Sequence, residues 1–370
     1  MGRVFFLGAG FSKSAGFPLG SELLHFVRQK LSSSVEYSDK NVYLPILERV
    51  IEVYKLSGWG YFASNLELLL TSFTLFLSYN EENFIEKFRP IYQKFISRGS
   101  HKYYFPKHIL GRITLGIRRA FLNHHVEISD YVKDPPIANK NIASAYDRFF
   151  DLLHEGDTIV TLNYDILCDL GLWLRNKWTL LDGYGFEKSK ESLMGKDKVQ
   201  MYTKPDRSAV KIYKLHGSIN WAGDYEQDGI ILTDLVGFFK GFNGKNTEND
   251  KFDANEASYI ILPNYSRSFI EQTAILEIWR KAREDISKCE DLYFIGYSLS
   301  DIDSSLQFML YDAISANDKL NEKNIHVIDN QPIEHSYEFA KRSVRLRFEK
   351  FLNNKCTFIN KSFENWVLEK

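Results

Sequence analysis

Five short segments of this chain carry side chains able to do chemistry, and each directly follows an apolar run. Gly8-Ala9-Gly10-Phe11-Ser12 follows the run at residues 3–7. Glycines there let backbone N–H groups come close to a phosphate, and a helix starting at that point adds its partial positive charge. Thr161-Leu162-Asn163-Tyr164-Asp165 offers an amide that both donates and accepts, beside a carboxylate. Lys214-Leu215-His216-Gly217-Ser218 places an imidazole, which titrates near neutral pH, where it can take a proton from a hydroxyl or a water. Gly296-Tyr297-Ser298-Leu299-Ser300-Asp301 supplies small and hydroxyl residues suited to a phosphate or a ribose. Asp329-Asn330 closes a further apolar run, where acidic residues of dinucleotide folds meet ribose hydroxyls. Each segment alone also reads as a turn, with Asp165, Asp301 or Asp303 capping the helix that follows.

The elements that must position these groups follow from periodicity. Near-continuous apolar runs at 3–7, 158–162, 209–215, 259–262, 292–295, 325–328 and 356–359 predict strands buried on both faces. Helical patterns at 269–288 and 304–317 separate several of them. That alternation predicts an α/β fold, a doubly wound, Rossmann-like parallel sheet, whose ligands sit at the carboxyl ends of the strands. Between the first two strands, apolar residues recur at helical spacing over 21–31, 44–56, 65–77, 83–96, 108–122 and 141–154. This is too long for a simple crossover. The expected division is a nucleotide-binding core of residues 1–21 and 155–370, with a helical insertion over 22–154. The insertion carries Phe73, Phe76, Phe84, Phe88 and Phe95, which suit a packed bundle, a subunit interface or a lid. Polar, glycine-containing stretches at 182–207 and 222–256 read as long loops or small subdomains.

Composition narrows the class. A chain of 370 residues that is 44% hydrophobic and 26% charged can bury a large core without staples. A net charge of -1 gives no global field towards nucleic acid or anionic membrane. Three dispersed cysteines, Cys168, Cys289 and Cys356, form no CxxC pair, so neither a zinc knuckle nor a disulfide framework is expected. That usage suits a reducing cytoplasm. The N-terminal apolar run is too short for a signal peptide, and no run is long enough to span a membrane. Lys341, Arg342, Arg345, Arg347 and Lys350 read as a solvated helix face or a docking surface, and His124-His125 as surface or packing.

Taken in order, the motifs resemble those of sirtuins. Gly8-Ala9-Gly10-Phe11-Ser12 with Ala15-Gly16-Phe17-Pro18 is similar to G-A-G-[IV]-S-x-x-[SA]-G-I-P, and Thr161–Asp165 to T-Q-N-x-D. His216-Gly217 is similar to H-G and Gly296–Leu299 to G-T-S-L. Two departures stand out. Leu19-Gly20-Ser21 replace the Asp-Phe-Arg of the deacylases, and only Cys289 lies where those enzymes carry two CxxC pairs. The pattern more closely resembles the zinc-free sirtuin-like domains of bacterial antiphage defence. That resemblance implies NAD+ as substrate, hydrolysis to nicotinamide and ADP-ribose, homo-oligomers, and a separate protein partner, for which a HerA-type ATPase is the leading expectation. Nucleic acid would enter only through that partner. On the same resemblance, Asn163 meets ribose hydroxyls and orients water, His216 is the general base, and Asp165 supports Asn163 or the nicotinamide side. Gly8, Ala9, Gly10 and Ser12 hold the pyrophosphate, with Phe11 and Thr161 beside them. Gly296, Ser298, Asp329 and Asn330 face the adenosine half. Two other readings stay open: a non-catalytic NAD+- or ADP-ribose-binding scaffold, and an NAD+-dependent protein deacylase.

Overall fold

Apolar runs without polar alternation form strands that need cover on both faces, and in the computed structural model they lie side by side. The structure describes residues 2–79, 105–129, 140–180, 182–186, 207–224, 229–232, 258–260, 273–300, 303–330 and 343–370. The strands are β1 (Val4–Leu7), β2 (Thr158–Thr161), β3 (Lys211–Lys214), β4 (Gly217–Asp224), β5 (Gly229–Leu232), β6 (Ser258–Ile260), β7 (Leu292–Ile295), β8 (Ile325–Ile328) and β9 (Thr357–Ile359). Six of them form one sheet in the order β3-β2-β1-β7-β8-β9, and every pairing in it is parallel. Counted within the sheet, that order is 3-2-1-4-5-6, the doubly wound arrangement of dinucleotide-binding folds. The order reverses between β1 and β7, so the crevice for a ligand opens there, at the carboxyl ends of the strands.

The faces of this sheet are aromatic. Phe5 and Tyr293 are register partners whose rings stack at 4.9 Å, and Phe149 meets Phe5 edge-on at 5.6 Å. Phe149 belongs to a helix, Lys140–Leu152, which also packs against the C-terminal helix Phe363–Leu368. On the opposite face, Phe6 and Phe294 lie 5.5 Å apart, and Phe348 of the helix Val344–Phe351 packs 4.9 Å from Phe294. All five phenylalanines among these residues are essentially inaccessible to solvent. Burying each ring contributes roughly 2–3 kcal/mol. This aromatic sandwich fixes β1 and β7, the two strands that flank the crevice.

The described helices are α1 (Ala9–Lys13), α2 (Leu23–Ser33), α3 (Leu44–Leu56), α4 (Leu66–Tyr79), α5 (Phe105–Ser129), α6 (Lys140–Leu152), α7 (Leu167–Trp173), α8 (Thr273–Ile286), α9 (Ser304–Ser315), α10 (Val344–Phe351) and α11 (Phe363–Leu368). Helices α2 to α5 follow β1 and pack on one another as a helical module. Its keystone is Asp39, fully buried, whose carboxylate accepts hydrogen bonds from Arg119 Nε at 3.0 Å, Asn123 Nδ2 at 2.9 Å and Ser34 Oγ at 2.6 Å. The module is keyed to the sheet rather than tethered to it. The Phe17 ring lies 5.7 Å from Phe121, 4.6 Å from His124 and 4.7 Å from His125 of α5, and His124 Nε2 is 2.9 Å from Ala15 O. Helix α6 covers one face of the sheet. The helical pattern at 83–96 and the stretches at 187–206 and 233–257 lie outside the described residues.

Two differences from the expected strands concern the region after β3. A second, antiparallel sheet, β5-β4-β6, starts at Gly217, so β6, which holds the described part of the run at 259–262, pairs there and not in the main sheet. β4 was hidden in the sequence because its buried side chains, Ile219 and Trp221, alternate with Ser218, Asn220 and glycines, and those polar residues are themselves buried. No helix among the described residues is long and apolar enough to cross a membrane.

Candidate functional site

The register of the main sheet brings the polar segments into one row. Lys214 pairs with Thr161, Thr161 with Leu7, Leu7 with Ile295, and Ile295 with Ile328. The residues that follow each of these therefore emerge on one edge. With neighbouring strands about 4.8 Å apart, the row from the end of β3 to the end of β8 spans about 19 Å. A cleft of about 780 Å³ runs along it, within the range of roughly 300–1,000 Å³ for ligand sites. Gly8, Ala9, Gly10, Ser12, Asn163, Asp165, His216, Gly296, Ser298, Asp329 and Asn330 all line this cleft.

Two residues from the expected set do not. Phe11 is fully buried, its ring packed within 5.3 Å of Tyr146, Phe149 and Phe363, because it is the first apolar residue of α1 to face the core. Thr161, also buried, acts one step behind the wall. Its Oγ1 donates to Leu7 O at 2.9 Å and accepts from Asn163 N at 3.0 Å, which clips the end of β2 to the end of β1. Asp301 lies outside the described residues.

The glycines serve close backbone approach more than phosphate donation. Gly8 N donates to Ile295 O at 3.0 Å, Gly10 N to Gly296 O at 2.9 Å, and Phe11 N to Gly8 O at 3.0 Å. Those amides are taken, and Ala9 N–H is the one the turn leaves for a ligand. A side chain at Gly296 would put its Cβ 2.3 Å from Phe11 N, and its φ of +60° favours glycine in any case. Gly8 and Gly296 thus hold the ends of β1 and β7 in contact at the reversal of strand order.

Asn163 is held in one orientation. Its Nδ2 donates to Gly8 O and to Ser12 Oγ, both at 3.0 Å. A carbonyl only accepts, so the amide nitrogen must face Gly8. Oδ1 is left as an acceptor for a ligand hydroxyl. Ser12 in turn donates its hydroxyl hydrogen bond to Asp165, whose carboxylate also accepts from Leu167 N at 3.0 Å and so begins α7. Burial pushes the Asp165 carboxyl up, and the nearby Lys214 ammonium opposes that shift. Lys214 is buried with it: Nζ donates to Asp165 O and to Ser218 Oγ, the latter at 2.9 Å, and lies 3.3 Å from Asp169 Oδ2. His125 completes this layer. Its Nε2 accepts from Ile166 N at 3.2 Å, and burial holds its pKa far below the ordinary imidazole value, which keeps it neutral. A pair of adjacent histidines that the sequence leaves as surface or packing is therefore packing, directly beneath the site.

His216 follows β3, and Gly217, at φ +78°, turns the chain into β4 behind it. The imidazole is almost wholly buried, with Nε2 3.0 Å from Asp303 Oδ2. The other oxygen of Asp303 accepts from Leu306 N at 3.1 Å and caps α9. One carboxylate thus starts a helix with one oxygen and sets the other beside a histidine. Capping is legible in the sequence at Asp303, but the partnership with His216 spans too many residues to be read from spacing.

The helical module and the C-terminus also reach the cleft. Asn65, Glu67 and Phe121 line it from α4 and α5, and Ser362, Phe363 and Glu364 from the start of α11. Arg347, from the basic cluster, donates from Nε to Ser298 O at 2.8 Å. It braces the loop after β7 and is not simply a solvated charge. Of the described residues, no group of His, Cys, Asp and Glu is arranged to hold a metal ion.

The SIR2-like domain family matches residues 157–355, just over half the chain. No curated protein matches the sequence. Two of the solved structures it is similar to are reported under "Structural Basis for the Mechanism and Regulation of Sir2 Enzymes" and "The Structural basis for Sirtuin Substrate affinity". The first is 12% identical, covering 99% of this chain and 89% of that one, with a TM-score of 0.35. The second is 10% identical, covering 100% and 91%, with a TM-score of 0.36.

Proposed function

This chain belongs to the SIR2-like domain family, and from that premise we propose that it binds NAD+ along the cleft and hydrolyses it to nicotinamide and ADP-ribose. The observation that carries the reading is the fixed orientation of Asn163, with Oδ1 turned out, on the same wall as the buried His216–Asp303 pair. Nicotinamide is cationic in NAD+ and leaves neutral, so the leaving group needs no acid. Charge develops on the ribose instead, and positioning with electrostatic support supplies much of the rate.

Each residue then has a task. Asn163 Oδ1 accepts from a ribose hydroxyl and sets the angle of the attacking water. His216, oriented through Nε2 by Asp303, uses its other ring nitrogen as a base towards a ribose hydroxyl or that water. Asp165 and Ser12 hold Asn163 in place. Ala9 N–H and Ser12 border the pyrophosphate, and Ser298, Asp329 and Asn330 the adenosine. An enzyme that destroys NAD+ must be kept silent until needed. The proposal therefore includes homo-oligomers in the cytoplasm and a separate activating protein, with a HerA-type ATPase as the first to test, in a defence that depletes NAD+ in infected cells.

The experiment is incubation of the purified protein with NAD+, with and without such an ATPase, following nicotinamide. Nicotinamide and ADP-ribose are expected in equal amounts from the wild type. Asn163→Ala and His216→Ala should each fall by at least about 100-fold while staying folded. Near-full turnover by both variants would remove their assigned roles.

A further inference from the structure

Several titratable groups that line the cleft have no task in that scheme, and one of them is a carboxylate beside His216 and Asp303. Glu67 comes from α4 of the helical module, far in sequence from every motif, yet it lines the same wall as His216 and Asp303. Asn65 fixes the start of its helix, with Oδ1 accepting from Glu67 N at 2.8 Å and Leu68 N at 3.2 Å. The carboxylate itself makes no hydrogen bond or ion pair among the described residues. It lies against Gly20, where an added Cβ would meet Glu67 Oε2 at 3.4 Å and Oε1 at 3.7 Å. Gly20 sits in Leu19-Gly20-Ser21, the segment that departs from the deacylase pattern, and those distances are ordinary van der Waals contact.

We propose that Glu67 is a further catalytic residue of the cleft, the base that takes the proton from the attacking water, while His216 held by Asp303 serves the ribose hydroxyls. The step balances without another reactant. The water oxygen bonds to ribose C1′, its O–H bond breaks with the proton moving to Glu67, and the C1′–N bond breaks with its electron pair going to nicotinamide. Glu67 then returns the proton to solvent. A carboxylate suits this role only if it is basic enough. Burial raises the Glu67 pKa, Asp303 raises it further, and His216 opposes the shift. The groups facing it are His216 after β3, Asp303 before α9 and the Tyr164 hydroxyl after β2. The assignment also makes the helical module part of the active site, since α4 must be seated for the water to be activated.

The inference rests on the NAD+ reading, and the test separates the two. Nicotinamide release is measured, with and without the HerA-type ATPase, for the wild type, Asn163→Ala, Glu67→Gln and Glu67→Ala across mildly acidic to mildly alkaline pH, with Tm for each. Glu67→Gln should lower kcat by roughly 100-fold or more, leave KM little changed, and lose the limb on which wild-type kcat rises as Glu67 ionises. A neutral amide relieves a buried charge, so Tm should hold or rise. Full turnover in Glu67→Gln beside an inactive Asn163→Ala would overturn the role of Glu67 alone. A lowered Tm with an unchanged pH profile in the residual turnover would make Glu67 structural and overturn it equally. No release by the wild type would overturn the NAD+ reading and this assignment with it.

Discussion

At the scale of single residues, the site is a set of side chains that each do two things. Asp303 is the clearest case, because its two oxygens face different partners: one caps α9 and the other lies 3.0 Å from His216 Nε2. The two tasks separate by substitution. Asp303→Asn keeps an oxygen for Leu306 N, so its Tm should stay near wild type while kcat falls at least ~10-fold. Asp303→Ala loses the cap as well, and urea denaturation should show a further loss of about 1 kcal/mol. Equal turnover in wild type and Asp303→Asn would show that His216 needs no orienting carboxylate. Ser12 and Thr161 follow the same logic, each accepting from Asn163 while donating to a second group, Asp165 or Leu7 O. The sequence shows that Asn163, His216 and the glycines stand at strand ends. It does not show that Phe11 turns inward onto Tyr146, Phe149 and Phe363, or that the turn's amides are mostly taken near the end of β7, because those partners lie more than a hundred residues away in the chain.

At the scale of elements, the contact between the β1 turn and the end of β7 is the hinge of the whole site. Gly296→Ala forces a Cβ to within 2.3 Å of Phe11 N at a left-handed φ. Its expected cost is about 2 kcal/mol or more, with weakened ligand binding, read from urea midpoints and a titration with ADP-ribose. Gly60→Ala is the control, since its Cβ would meet only Lys55 Cγ at 3.9 Å. Unchanged stability and binding in Gly296→Ala would mean that the two strand ends are not locked. Strand periodicity foretold the elements of the main sheet because strands buried on both faces leave long apolar runs. β4 escaped for the opposite reason, since Ser218 and Asn220 are polar and yet buried, satisfied by Lys214 and Tyr184. Glu67 escaped because nothing in an amphipathic helix marks which of its polar residues will face a cleft.

At the scale of the molecule, one doubly wound sheet aligns its strand ends, and a helical module keyed through Phe17, His124 and His125 closes over one end of the row. The chemistry is assigned to that covered end and the recognition of adenosine to the other. A crystal structure of the protein with ADP-ribose tests this division most directly. The account predicts density along the row, with the terminal ribose against Asn163 and His216, the pyrophosphate at Ala9 and Ser12, and the adenosine beside Ser298 and Asp329. Density elsewhere, or a ribose remote from Asn163 Oδ1, would contradict it.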